Sequence, residues 1–167
     1  MIHENEIRKT LSLIKPDGQL FEVRVIYNSK AVYSGYFKSA DDLMTALHRD
    51  IRDYANCNIY ITLNYLNDEC YSRSQRNKFM SRGLATTSDK DVLGYEWIFI
   101  DVDPHRTTAV SSSDEQVEKA KEIGNKVYAF MKTLGFYDPI CGFSGNGVHL
   151  LYRVKIKNSE ENVKLID

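Results

Sequence analysis

Asp101 and Asp103 are the residues best suited to chemistry. They close the apolar run Trp97-Ile98-Phe99-Ile100, and on a strand residues two apart project from the same face. Two carboxylates so close repel unless something positive lies between them. A hard divalent cation is the natural occupant, because Mg²⁺ takes carboxylates together with substrate phosphates. A metal held in this way activates an attacking hydroxyl and neutralises a leaving pyrophosphate. Taken alone, the pair also fits two solvated acids at a strand end. The apolar strand in front of them favours function, since a core strand aims its terminal carboxylates accurately.

The second element is Ser144-Gly145-Asn146-Gly147-Val148-His149. Its glycines permit positive φ and leave backbone N–H groups exposed, and such a turn can form a concave nest for phosphate oxygens. Ser144 adds a hydroxyl donor. His149 alternates with Val148 and Leu150, so it leaves the apolar side of its strand, where an imidazole can donate a hydrogen bond to a triphosphate. By itself this is also the pattern of a hairpin turn with an exposed histidine. Together, the two motifs describe one site at the shared end of neighbouring strands.

The net charge of −1 excludes a protein that grips duplex DNA by overall phosphate neutralisation. Any nucleic-acid contact must come from a local patch, and one candidate has five basic residues, Arg73, Arg76, Lys78, Arg82 and Lys90, with one acid, Asp89, between Tyr71 and Lys90. Its bland alternative is a solvated loop. Cys57, Cys70 and Cys141 lack C-x-x-C spacing, so they suggest neither a disulfide framework nor a zinc site. Cys141 reads as a small apolar strand residue. The polar start Met1-Ile2-His3-Glu4-Asn5-Glu6 is unlike a secretion signal, and no apolar run approaches the roughly 18 residues of a membrane span. A cytoplasmic protein that meets no membrane is expected.

These motifs need a scaffold. Leu20 to Tyr27 alternates Phe21, Val23 and Val25 with Glu22 and Arg24, which predicts a half-buried strand. Asn28-Ser29-Lys30 is a turn signal, and Ala31 to Phe37 returns as the hairpin partner. Ser39 with Asp42 opens a helix carrying Leu43, Leu47, Ile51 and Tyr54. Asn58 to Leu66 is β-branched and aromatic, hence a strand. Residues 67–94 lose periodicity and read as a long functional loop. Tyr95 to Val102 is a strand ended by Pro104. Ser113 and Gln116 form a capping box with Asp114 and Glu115 behind it. The helix they open carries Val117, Ala120, Val127, Phe130, Met131 and Leu134, and Gly135 closes it. Pro139–Phe143 and Val148–Val154 are the next two strands, and Ser159 caps another helix. The second half is therefore β-α-β-β, the opening of a split βαββαβ unit.

Ile98-Phe99-Ile100-Asp101-Val102-Asp103 resembles the first motif of the archaeo-eukaryotic primase superfamily, a hydrophobic strand closing in D-x-D. Ser144-Gly145-Asn146-Gly147-Val148-His149, followed by Leu150-Leu151-Tyr152, resembles its second motif, Ser-x-His in an expanded glycine-rich form. The flanks Thr86-Thr87-Ser88-Asp89-Lys90-Asp91 and Asp103-Pro104-His105-Arg106 look like primase-polymerases of phages and mobile elements. The similarity runs from about Phe21 to Val154. It implies an α+β fold, with an N-terminal α/β subdomain over 1–94, its template-side loop at 67–94, and an incomplete RRM-like catalytic module over 95–167. It implies metal ligation of Mg²⁺ or Mn²⁺ by Asp101 and Asp103, and catalytic roles for both and for His149. Nucleotide contacts would come from Ser144, Gly145, Asn146, Gly147, His149 and Arg106. Weaker nucleic-acid contacts would come from Arg73, Arg76, Lys78, Arg82 and Lys90.

The function so implied is DNA-directed nucleotidyl transfer from an NTP or dNTP on a single-stranded DNA template, in a bacterial or phage-infected cell. A C-terminal helicase region or a separate replication protein would be a partner. The third motif of the superfamily, a later carboxylate, has no counterpart before Asp167. The chain is therefore expected to be the N-terminal part of a primase-polymerase, weak or inactive alone, with self-association through an exposed sheet edge. The alternative is an inactive truncated relative that binds nucleotide, nucleic acid or protein as a regulator or inhibitor. A rolling-circle nuclease would need a His-x-His pair, which His3, His48, His105 and His149 do not form.

Overall fold

The computed structural model describes residues 2–16, 18–82, 86–105 and 110–166. The fold is α+β with antiparallel strand pairs, as the sequence implies. The chain divides into two compact units, residues 1–95 with 157–160, and residues 96–156 with 161–167.

The first unit opens with helix α1 (Glu4–Ile14), unforeseen although Ile7, Leu11 and Ile14 recur at helical spacing. Glu4 and Glu6 lie in its first turn, where the helix dipole favours anions. It buries Leu11 and Ile14. Strands β1 (Phe21–Tyr27) and β2 (Val32–Phe37) form the expected hairpin. Helix α2 (Ala40–Asp50) starts at Ser39, whose side chain accepts from the Asp42 N–H. It stops short of Tyr54, with Ile51 as its extended C-cap. Strand β3 (Cys57–Ile61) joins the other edge of β1, so the sheet order is β2-β1-β3. Leu11, Leu43, Leu47 and Ile51 bury with Val23, Val25, Phe37 and Phe79 in one apolar cluster.

The expected single strand over 58–66 is two. After β3 the chain leaves the sheet, and β4 (Tyr65–Leu66) pairs instead with the start of β5 (Val92–Val102). The Thr62 N–H still donates to the Glu22 carbonyl at 3.0 Å, and side chains hold the segment beyond it. Thr62 Oγ1 accepts from the Glu22 N–H at 3.0 Å, and Lys15 Nζ donates to the Leu63 and Asn64 carbonyls at 2.8 and 3.3 Å. The expected loop over 67–94 gives its last residues to β5, and its described part is more ordered than its composition suggests. It holds 3-10 turns at Asp68–Ser72 and Asp89–Asp91, and an antiparallel bridge between Met80 and Ser34.

The second unit takes β5 onward from Glu96. Helix α3 (Asp114–Thr133) begins with the predicted reciprocal box between Ser113 and Gln116, and Gly135 follows its C-cap with φ of +88°. Strands β6 (Ile140–Phe143) and β7 (Val148–Lys157) are antiparallel, and β7 lies between β5 and β6. Helix α4 (Glu160–Ile166) follows Ser159. Helix α3 sits against the sheet at Gly124, where an added Cβ would come within 2.7 Å of Val148 Cγ2. Met131, Leu150 and Tyr152 bury there with Ile98, Ile100, Val127 and Phe136 beside them. Phe130 and Leu134, expected in the buried stripe, are 61% and 58% exposed. Phe130 lies to one side of the buried positions Ala120, Gly124 and Met131, and Leu134 is the C-cap beyond the last helical residue. Cys141, on the outermost strand β6, is exposed rather than packed.

Candidate functional site

Alternation along two strands builds the site. On β5, Ile98 and Ile100 turn towards α3, which leaves Phe99 and Asp101 on the opposite face. On β7, Leu150 and Tyr152 are buried and His149 takes the opposite side. The two exposed sets meet. His149 Nε2 stands 3.3 Å from Asp101 Oδ1, an ion pair when the imidazole is protonated. The Phe99 and His149 rings meet edge-on, with centroids 4.9 Å apart.

The glycine-rich turn lies beside the second carboxylate. A Cβ on Gly147 would fall 2.5 Å from Asp103 Oδ1 and 2.2 Å from the Val102 carbonyl oxygen, so only glycine allows this approach. Gly145 adopts φ of +90°, a region costly for other L-residues. The Ser144 N–H donates to the Gly147 carbonyl at 3.1 Å. Asn146 Oδ1 accepts from the Ser112 N–H at 3.0 Å, which ties the turn to the entry of α3.

One expectation changes. The N–H groups of Asn146 and Gly147 do not point outward as an open nest. Both donate to Ser144 Oγ, at 3.3 and 2.9 Å. The serine is an internal acceptor first, and its own hydroxyl reaches the Gly147 carbonyl at 3.3 Å.

Asp101 thus meets His149, and Asp103 lies beside Gly147. Among the described residues no group of three or more His, Cys, Asp or Glu side chains converges to hold a metal ion. Two exposed carboxylates on one strand end still fit an ion that draws its remaining ligands from phosphate and water, as Mg²⁺ commonly does.

The basic residues of the first unit separate into classes. Arg73 is committed to structure: its guanidinium forms an ion pair with Asp91, only 6% exposed. That partner raises the arginine and, with hydrogen bonds from Ser88, holds the Asp91 carboxyl well below the usual range. Arg76 lies over the Tyr71 ring, 4.9 Å from its centroid. Lys78 is half-buried, whereas Arg82 and Lys90 are exposed. Arg106 lies outside the described residues.

Sequence patterning misses a buried polar network. Glu22, expected on the solvent side of a half-buried strand, is fully buried. Arg24 holds it with two hydrogen bonds of 2.9 and 2.8 Å, Ser34 donates at 2.5 Å, and the Thr87 N–H donates at 3.0 Å. Burial pushes this carboxyl up, and those hydrogen bonds outweigh burial and leave it lowered. A cavity of about 290 Å³ borders Glu22, Arg24, Thr62, Thr87 and Asp89. The usable signal is the pairing of Glu22 and Arg24 within β1 with a threonine-rich segment downstream.

No family model matches the chain, and no curated protein or solved structure matches it. Among the described residues no helix is long and apolar enough to cross a membrane.

Proposed function

We propose that this chain works as a DNA primase-polymerase that transfers nucleotides from an NTP or dNTP along a single-stranded template. The observation that carries the reading is the meeting of Asp101 with His149 at 3.3 Å, beside a turn whose Gly147 admits no side chain next to Asp103. Two motifs 41 residues apart (Asp103 to Ser144) thus share one surface.

Asp101 and Asp103 would hold a divalent ion, Mg²⁺ or Mn²⁺, which supplies charge neutralisation for the phosphates when bound. His149 would donate from Nε2 to a phosphate oxygen, exchanging it for the Asp101 carboxylate that this nitrogen otherwise faces. The 144–147 turn presents amides to a second phosphate once Ser144 Oγ yields them. Arg82 and Lys90, exposed, are the better candidates for template phosphates than Arg73. The finer architecture that fits this role is an RRM-like module, for which the order β5-β7-β6 with α3 on one face is the support. A helicase region or a separate replication protein is the proposed partner.

A non-catalytic nucleotide-binding regulator is the second reading. It is favoured by the absence of a third converging acid among the described residues. Primer extension with Mg²⁺ or Mn²⁺ separates the two. The catalytic reading expects weak extension that Asp101→Ala abolishes. Metal-dependent nucleotide binding with no extension at any enzyme concentration supports the regulator. Extension that survives both Asp101→Ala and Asp103→Ala would overturn the assignment of these residues.

A further inference from the structure

We propose that Phe99 seats the nucleobase of the nucleotide whose phosphates lie at Asp101, Gly147 and His149. The proposal rests on the nucleotide-binding reading above and extends it from the phosphates to the base.

On the face of β5 that carries Asp101, the aromatic residues are Tyr95, half-buried, Trp97 and Phe99, and of these Phe99 is the exposed one and the nearest to the carboxylate. Trp97 is 5% exposed, with the Arg153 guanidinium 5.7 Å from its ring centroid. Phe99 is 44% exposed. Its neighbours Ile98 and Ile100 supply the side that packs under α3, so Phe99 is not a core residue that lacks cover. A single exposed apolar residue is ordinary. This one follows Trp97 and precedes the Asp101 carboxylate on one face, in contact with the imidazole of the candidate site.

Geometry then selects the ligand. Residues two apart on a strand are separated by about 6.6 Å on one face, comparable with the sugar that lies between a base and its first phosphate. A nucleotide whose phosphates meet Asp101 and His149 would lay its base over Phe99. His149 supports the ring edge-on, at 70° between the planes, and fixes the orientation of the platform. An aromatic ring accepts any base through its π-face. The seat therefore binds without choosing, and leaves selection to pairing with a template.

The test compares nucleoside triphosphates with inorganic tripolyphosphate, which has phosphates and no base. Titration calorimetry with Mg²⁺ is performed on the wild-type chain, Phe99→Ala and Phe99→Tyr. Phe99→Ala is expected to weaken all four nucleoside triphosphates by about tenfold, to leave tripolyphosphate unchanged, and to leave the melting temperature unchanged. Phe99→Tyr should restore nucleotide affinity. Equal weakening of tripolyphosphate, or unaltered nucleotide affinity, would overturn the proposal. So would a loss seen for a single-stranded oligonucleotide and not for mononucleotides, which would make Phe99 a template-binding residue. A wild-type chain that binds neither nucleotide nor tripolyphosphate would instead overturn the phosphate site on which the proposal rests.

Discussion

Gly147 lies so close to the end of β5 that a methyl group on it would stand 2.2 Å from the Val102 carbonyl oxygen. Backbone occupies that space as well as the Asp103 carboxylate, so turning a side chain aside does not clear it. Gly147→Ala must therefore drive the turn away from β5. The expected loss of stability is about 1–3 kcal/mol, as for other overpacked positions. Metal-dependent nucleotide binding should fall with it, because Asp103 and the turn separate. Urea unfolding and calorimetric titration check the two effects, and a variant with unchanged midpoint would show that the approach is looser than described.

The Glu22 and Asp91 networks make stability depend on acid pH. Both carboxyls are lowered in the folded chain, Glu22 from 4.5 and Asp91 from 3.8. A depressed carboxyl contributes stability above its unfolded value, and that contribution is lost as pH falls through the folded value. Stability should be level above about pH 5 and decline progressively below it. Glu22→Gln should flatten part of this acid limb and lower the plateau by about 1–3 kcal/mol. Denaturant midpoints measured across this range test it. An unchanged acid slope in the variant would remove Glu22 from the account.

Arg73 and Lys90 should behave oppositely. Arg73→Ala strands the buried Asp91 carboxylate, so the melting temperature should drop. Lys90→Ala and Arg82→Ala remove exposed charges, so melting should hold while single-stranded DNA binding weakens. The slope of log affinity against log salt should shrink by roughly 0.7 for each phosphate that is no longer neutralised on a single strand. Fluorescence anisotropy over a salt series measures it, and an unaltered slope in both variants would place the template path elsewhere.

Tyr152 is 1% exposed, and its hydroxyl has no hydrogen-bond partner among the described residues. Burial raises this phenol above its ordinary value of 10.0. Its ring packs edge-on against Phe136, with centroids 5.6 Å apart. Tyr152→Phe keeps the ring and removes an uncompensated polar atom. The variant should be as stable as the wild type or up to about 1 kcal/mol more stable. A clear loss in thermal melting would show that the hydroxyl is satisfied.

Local chemistry made much of the scaffold legible. Ser113, Gln116 and Gly135 bounded α3 to within a residue or two, and the alternation of Phe21, Val23 and Val25 marked β1. Apart from α1, what escaped depended on distant segments. Glu22 is buried because the chain around Thr62 and Thr87 covers it, and an irregular segment has no period to announce itself. Phe130 stands beside the buried stripe of Ala120, Gly124 and Met131, and Leu134 follows the end of the helix, so both stay exposed. At the site, residue types and spacing foretold the face shared by Asp101 and His149. Spacing could not foretell where the turn's N–H groups point, since rotation of the Ser144 side chain decides it.

That rotation makes Ser144 a competitor for its own turn. Any phosphate oxygen seeking the Asn146 and Gly147 amides must first displace a tethered hydroxyl whose effective concentration is high. The exchange replaces one acceptor by another, so occupancy is governed by the difference between a neutral and a charged hydrogen bond. A turn built in this way is satisfied when empty, and it admits anions while giving a neutral ligand little reason to enter.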